Sequence, residues 1–350
     1  FDFIQRSHTR GGKLQELINL GLRGVTSNPT IFEKAITGGS DYDDLIKGMT
    51  ESGASSEQIY EALSTEDVGD AADLFMPLYR ASGGSDGFVS IEVNPKLAYD
   101  VTGTVEEGKR LFSLLDRPNI MIKVPATPEG ATSVRELISE GVNVNATLMF
   151  SEKHYREIVE AYLQGLEVLK SRDRDLSGTA SVSSFFVSRV DAAVDEKLTE
   201  VGRNDLLGKI SIANARNVYR IFLEIFSGGR WDALASSGAA KQRVLWASTG
   251  TKNPEYPDTM YVDELIGDHT VNTLPPSTLD SFLDHGTVRE TLPGNVEDSR
   301  NLLGELAQSG ISLEEVTENL QEKGVQSFAD SYDNLLEAIS EKQKQVKDGQ

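Results

Sequence analysis

Val142-Asn143-Val144-Asn145-Ala146-Thr147 alternates apolar and polar side chains without a break. Successive side chains of a strand point to opposite faces, so Asn143, Asn145 and Thr147 share one face and Val142, Val144 and Ala146 the other. The same parity recurs upstream. In residues 88–93, Ser90 and Glu92 oppose Val89, Ile91 and Val93; in residues 120–124, Met121 and Lys123 oppose Ile120, Ile122 and Val124. Further strand patterns at 24–26, 181–187, 244–247 and 270–272, with a clipped one at 1–3, bring the expected total to eight. Helical patterns lie between them, at 14–20, 57–63, 105–115, 130–139, 153–170, 190–198 and 210–226.

This alternation of strand and helix predicts a parallel sheet, and the gaps between strands far exceed the roughly 8–12 residues of a sandwich. A parallel sheet is covered on both faces, so its strands should be almost wholly apolar unless their polar residues line a shared interior. A barrel supplies that interior. The expected fold is therefore α/β, a single (β/α)8 TIM barrel with additional helices spanning residues 1–350. Its first strand is expected to be truncated, since the chain starts at Phe1 and not at Met. Residues 301–347 read as charged amphipathic helices, with Leu302, Leu303, Leu306, Leu335, Leu336 and Ile339 at helical spacing. They are expected to pack against the outside of the barrel as a solvated tail.

Composition narrows the chemistry. The absence of Cys excludes a disulfide framework, thiolate metal sites and a cysteine nucleophile, and four His (His8, His154, His269, His285) leave little for an imidazole metal site. With 34 Lys and Arg against 55 Asp and Glu, the formal net charge of −21 repels nucleic acid and anionic membranes. No apolar run is long enough to span a bilayer and no signal-peptide pattern opens the chain, so a cytoplasmic protein is expected. An anionic substrate would need a local basic pocket.

Lys123 is the most informative residue. It lies on an apolar strand, where a cation is costly unless paired or used. An ordinary Lys is only about 0.04% neutral at pH 7, whereas a buried one can release its amine to attack a carbonyl. The other reading is a Lys that snorkels to the barrel mouth or pairs with Glu92. Glu92 and Asp2 could divide the proton transfers that imine chemistry needs, or serve as counter-ions for Lys123 or Arg189. Asn28, in Ser27-Asn28-Pro29, could direct its amide across the strand ends, although Asn-Pro is also a common helix start. Arg189 offers a fork suited to phosphate. Residues 248–254, SerThrGlyThrLysAsnPro, read either as a small phosphate cradle or as an ordinary turn.

Taken together, GVTSNPTIF at 24–32, GFVSIEVNP at 87–95, NIMIKVPAT at 119–127, GVNVNATLMFS at 141–151, SFFVSRVD at 184–191, LWASTGTKNP at 245–254 and TVNTLPPSTLDSFLDHG at 270–286 closely resemble the transaldolase family in its longer bacterial-type form. The resemblance implies a Schiff base on Lys123, with Glu92 acting through a water as acid and base and Thr147 helping to order that water. It implies that Asp2 exchanges the proton of the donor's C4 hydroxyl. Thr26, Asn28, Asn145, Ser184 and Phe186 would bind or shape the donor, and Arg189 would hold its phosphate, with Ser248 beside it. Many relatives carry a second phosphate-binding Arg where Gly250 stands, and Lys252 is the natural substitute. The implied reaction moves a dihydroxyacetone unit from sedoheptulose 7-phosphate or fructose 6-phosphate to glyceraldehyde 3-phosphate or erythrose 4-phosphate, with no metal or organic cofactor. A fructose 6-phosphate aldolase and a non-catalytic sugar-phosphate binder are the alternatives. A monomer or homodimer is expected, and some relatives are fused to glucose-6-phosphate isomerase.

Overall fold

A computed structural model describes residues 1–348. Seven strands, β1 (Gly24–Thr26), β2 (Phe88–Glu92), β3 (Ile120–Pro125), β4 (Val144–Met149), β5 (Ser181–Phe186), β6 (Arg243–Ala247) and β7 (Thr270–Asn272), follow one another in sequence order in the sheet. The described pairings are parallel, and helices separate the strands along the chain. This is the strand–helix repeat of the TIM-barrel class.

The chain divides into two compact units. One comprises Phe1–Ala98, Thr102–Lys123 and the chain from Val325; the other comprises Tyr99–Val101 and Val124–Gly324. In the first, the helix Ser56–Ala81 buries Leu63, Val68, Ala71 and Phe75, and β2 and β3 bury Val89, Ile91, Ile120 and Ile122. Its entry is fixed by a capping box, in which Ser55 accepts the Gln58 N–H while Gln58 returns the bond to the Ser55 N–H. In the second unit, Thr127 and Ser151 cap the helices Pro128–Ser139 and Glu152–Ser171 that follow β3 and β4. Every residue of β3, β4 and β5 is buried, polar ones included, as a sheet covered on both faces requires.

Two expectations need correction. Residues 1–3 form no strand; Phe1 contributes a single rung, its nitrogen donating to the Gly24 carbonyl at 2.9 Å and its carbonyl accepting the Thr26 N–H at 2.9 Å. The C-terminal segment is not a solvated tail. It forms the helices Val296–Gln308 and Leu313–Lys347, and the longer one sends side chains to strand ends: in the second unit Gln321 reaches the carbonyls of Ala126, just after β3, and of Leu148, near the end of β4, and in the first Phe328 covers Lys123. Val325, Phe328, Tyr332, Leu335 and Ile339, spaced by three and four residues, are its buried stripe. No helix among the described residues is long and apolar enough to cross a membrane.

Candidate active site

In the first unit the parallel register of β2 and β3 sets Glu92 beside Lys123. The Lys123 ammonium lies 3.6 Å from Glu92 Oε2, close enough for attraction but too far for a hydrogen bond, and their side chains are 5% and 2% exposed. Lys123 Nζ donates to the Ser27 carbonyl at 3.3 Å and sits 5.6 Å from the centre of the Phe328 ring. Neither Glu92 oxygen finds a hydrogen-bond donor among the described residues. Burial therefore governs this carboxyl and, outweighing the nearby Lys123, raises its pKa from 4.5 to about 7. An acid poised there can give and take protons near neutrality. The Thr26 hydroxyl donates to Asp2 Oδ1 at 2.7 Å, so the end of β1 holds the carboxylate that the short first segment carries.

Asn28 Oδ1 accepts the Ile31 N–H at 3.0 Å and so caps the helix Pro29–Thr37, which fixes the side chain at the end of β1.

In the second unit, β4 carries a bulge: Ala146 pairs Ser183 and Met149 pairs Phe185, so Thr147 and Leu148 together oppose one residue of β5. Leu148 adopts φ +60°, a left-handed conformation that costs a side-chain-bearing residue about 1–2 kcal/mol. Asn145 Oδ1 accepts the Ser184 hydroxyl at 2.6 Å, both groups being buried. Thr147 Oγ1 is fully buried and without a hydrogen-bond partner among the described residues. The Phe186 ring stands 5.2 Å from Phe150 and 5.5 Å from the Arg189 guanidinium, which it holds over its face. Ser248, at φ +55°, follows β6 directly and is tied to Ser188 by an Oγ–Oγ bond of 3.0 Å and by the Ser188 N–H donating to its carbonyl at 2.9 Å. Lys252 is exposed on the loop beyond.

A model of the transaldolase/fructose-6-phosphate aldolase family matches residues 1–339. A transaldolase of Thermobifida fusca is 45% identical over 345 residues, covering 97% of this chain and 94% of that protein. The chain belongs to the transaldolase/fructose-6-phosphate aldolase family. A transaldolase of Saccharopolyspora erythraea is likewise 45% identical, over 99% of this chain and 95% of its own, and one of Trichodesmium erythraeum is 42% identical over 99% and 94%. Matches that fill these transaldolases so nearly leave them no room for an appended isomerase domain.

Against the transaldolase pattern, the departure at Gly250 has a steric cause. A Cβ built there would lie 2.8 Å from Thr278 Oγ1 and 3.5 Å from Pro275 Cγ, so a side chain at the position would require the buried Thr278 hydroxyl to move. Residues the motifs did not reveal are Ser27, whose carbonyl receives Lys123, Ser188, Phe328 and Gln321. For the last of these, the signal is a buried polar Gln four residues before Val325 on an amphipathic helix.

Proposed function

We propose that this enzyme, a transferase of the transaldolase type acting on sugar phosphates, works through an imine on Lys123, with Glu92 as its proton carrier. The close, buried Lys123–Glu92 pair carries the reading. Glu92 takes a proton from the Lys123 ammonium, the freed amine adds to the C2 carbonyl of fructose 6-phosphate or sedoheptulose 7-phosphate, and Glu92 returns the proton through a water so that the oxygen leaves as water and an iminium remains. Asp2 takes the C4 hydroxyl proton. The C3–C4 bond breaks with its electron pair moving to C3, giving a dihydroxyacetone enamine on Lys123 and a free aldose phosphate. The enamine then attacks the aldehyde of glyceraldehyde 3-phosphate or erythrose 4-phosphate, Asp2 returns the proton, and water ordered by Thr147 hydrolyses the new imine. Thr26, Asn28, Asn145, Ser184 and Phe186 hold the sugar, while Arg189 and Ser248, assisted by Lys252, hold the phosphate. Cytoplasmic location, action as a monomer or homodimer, and one barrel domain spanning the chain belong to the same reading.

Supplied with fructose 6-phosphate alone, the enzyme should release almost no glyceraldehyde 3-phosphate in steady state. Adding erythrose 4-phosphate should start sustained formation of sedoheptulose 7-phosphate. Sustained release without an acceptor would instead make it an aldolase. Arg189→Ala should lower kcat/KM for phosphorylated donors by about 10- to 100-fold, the worth of a charge-assisted bond, chiefly through KM. A loss of less than about twofold would remove Arg189 from the phosphate site.

A further inference from the structure

We propose that Gln321, on the helix Leu313–Lys347, is a positioning residue that locks the bulge of β4 and thereby aims the Thr147 hydroxyl. The inference rests on the role given to Thr147 above and adds the device that holds it. Gln321 is buried, 6% exposed, and its Nε2 donates to the Ala126 carbonyl at 2.8 Å and to the Leu148 carbonyl at 3.0 Å. Both N–H bonds of the amide are thus used on carbonyls at the carboxyl ends of β3 and β4. These two ends are already joined, since the Ala126 N–H donates to the Thr147 carbonyl at 2.7 Å.

The bulge explains why a side chain is needed there. Leu148 belongs to the bulge and carries φ +60°, so the regular register is broken at its peptide, and a buried carbonyl there needs a donor. Gln321 supplies that donor. Its neighbours on the same helix face, three residues before and after, complete the fit. Glu318 meets Lys153 Nζ at 2.8 Å and His154 Nε2 at 3.4 Å, anchoring the helix to the start of Glu152–Ser171. Gly324 lies over Leu148, where an added Cβ would come within 3.0 Å of Leu148 Cδ2. Without the amide, the strained peptide after Thr147 can relax and the hydroxyl loses its direction.

The test is a double-mutant cycle on the full-length enzyme, read as kcat, KM and the rate of imine formation with fructose 6-phosphate, trapped by borohydride at timed intervals. Gln321→Met should slow imine formation and kcat about tenfold while KM changes less than about twofold, because a misdirected group costs rate more than binding. In a Thr147→Ala background the same substitution should cost almost nothing further. Should Gln321→Met fail to fold, Gln321→Glu, which keeps the shape but opposes oxygen to oxygen, takes its place in the cycle. An unchanged rate in the single variant, or a loss that persists undiminished beside Thr147→Ala, overturns the proposal. Failure of the imine reading itself would look different, as absence of any trapped adduct in the parent enzyme.

Discussion

Lys123→Met is expected to abolish transfer, lowering kcat by about 10⁴-fold or more, because the nucleophile has no substitute. The polar residues around it cannot take over: Glu92 is already its partner, and the Ser27 carbonyl is an acceptor. Methionine keeps the length and apolar stem of lysine, so the packing against Phe328 survives. Removing the cation also removes the attraction that restrains the Glu92 pKa, so the carboxyl should stay protonated to higher pH and no unpaired charge is left behind. The variant should therefore fold, with a thermal midpoint near that of the parent. Steady-state assays with fructose 6-phosphate and erythrose 4-phosphate check the first statement and calorimetry the second; turnover within about tenfold of the parent would refute the role.

Glu92→Gln should reduce kcat by about 10²- to 10⁴-fold, the usual contribution of a general acid and base. The parent should show an inflection of kcat/KM near pH 7, where this carboxyl titrates, and the variant should lack it. Stability should move the other way. The carboxyl binds its proton more tightly folded, at about 7, than in the unfolded chain near 4.5, so the native state holds more protons between those values. Its contribution to stability is accordingly present below about pH 4.5 and declines as the pH rises through 7, by something on the order of 3 kcal/mol. The amide introduced by Glu92→Gln has no such proton to lose. Urea unfolding at pH 5 and pH 8 should therefore show the variant gaining on the parent at the higher pH; an unchanged difference would mean that Glu92 is not desolvated in solution.

The strands and the pairing of Lys123 with Glu92 were legible because both depend on period-2 alternation within short, local runs. Parity put Lys123 and Glu92 on polar faces, and a parallel register brought them together. Asn143 shows where parity falls short: its Oδ1 accepts the Ala180 N–H, so β4 starts at Val144 and not at residue 142. The bulge after Ala146 escaped as well, since Leu148 carries no mark of a left-handed residue. Partners distant in the chain are the rest of what was missed. Phe328 lies beyond Lys123 by some 200 residues, and Gln321 serves carbonyls whose need arises only after the strands have paired. The amphipathic pattern of the last helix predicted a buried stripe without saying what it covers. Gly250 was read as a missing cation, and the nearby Thr278 hydroxyl supplies the steric reason.

A formal charge of −21 gives no long-range help to anionic sugar phosphates, so the proposed mechanism assigns recognition to local cations and reaction to Lys123. The most direct test of that lysine is borohydride reduction of the full-length enzyme with fructose 6-phosphate, followed by peptide mass spectrometry. A three-carbon dihydroxyacetone-derived adduct on Lys123, absent from Lys123→Met, is the predicted result. No adduct, or one on another residue that persists in the variant, would contradict the imine mechanism.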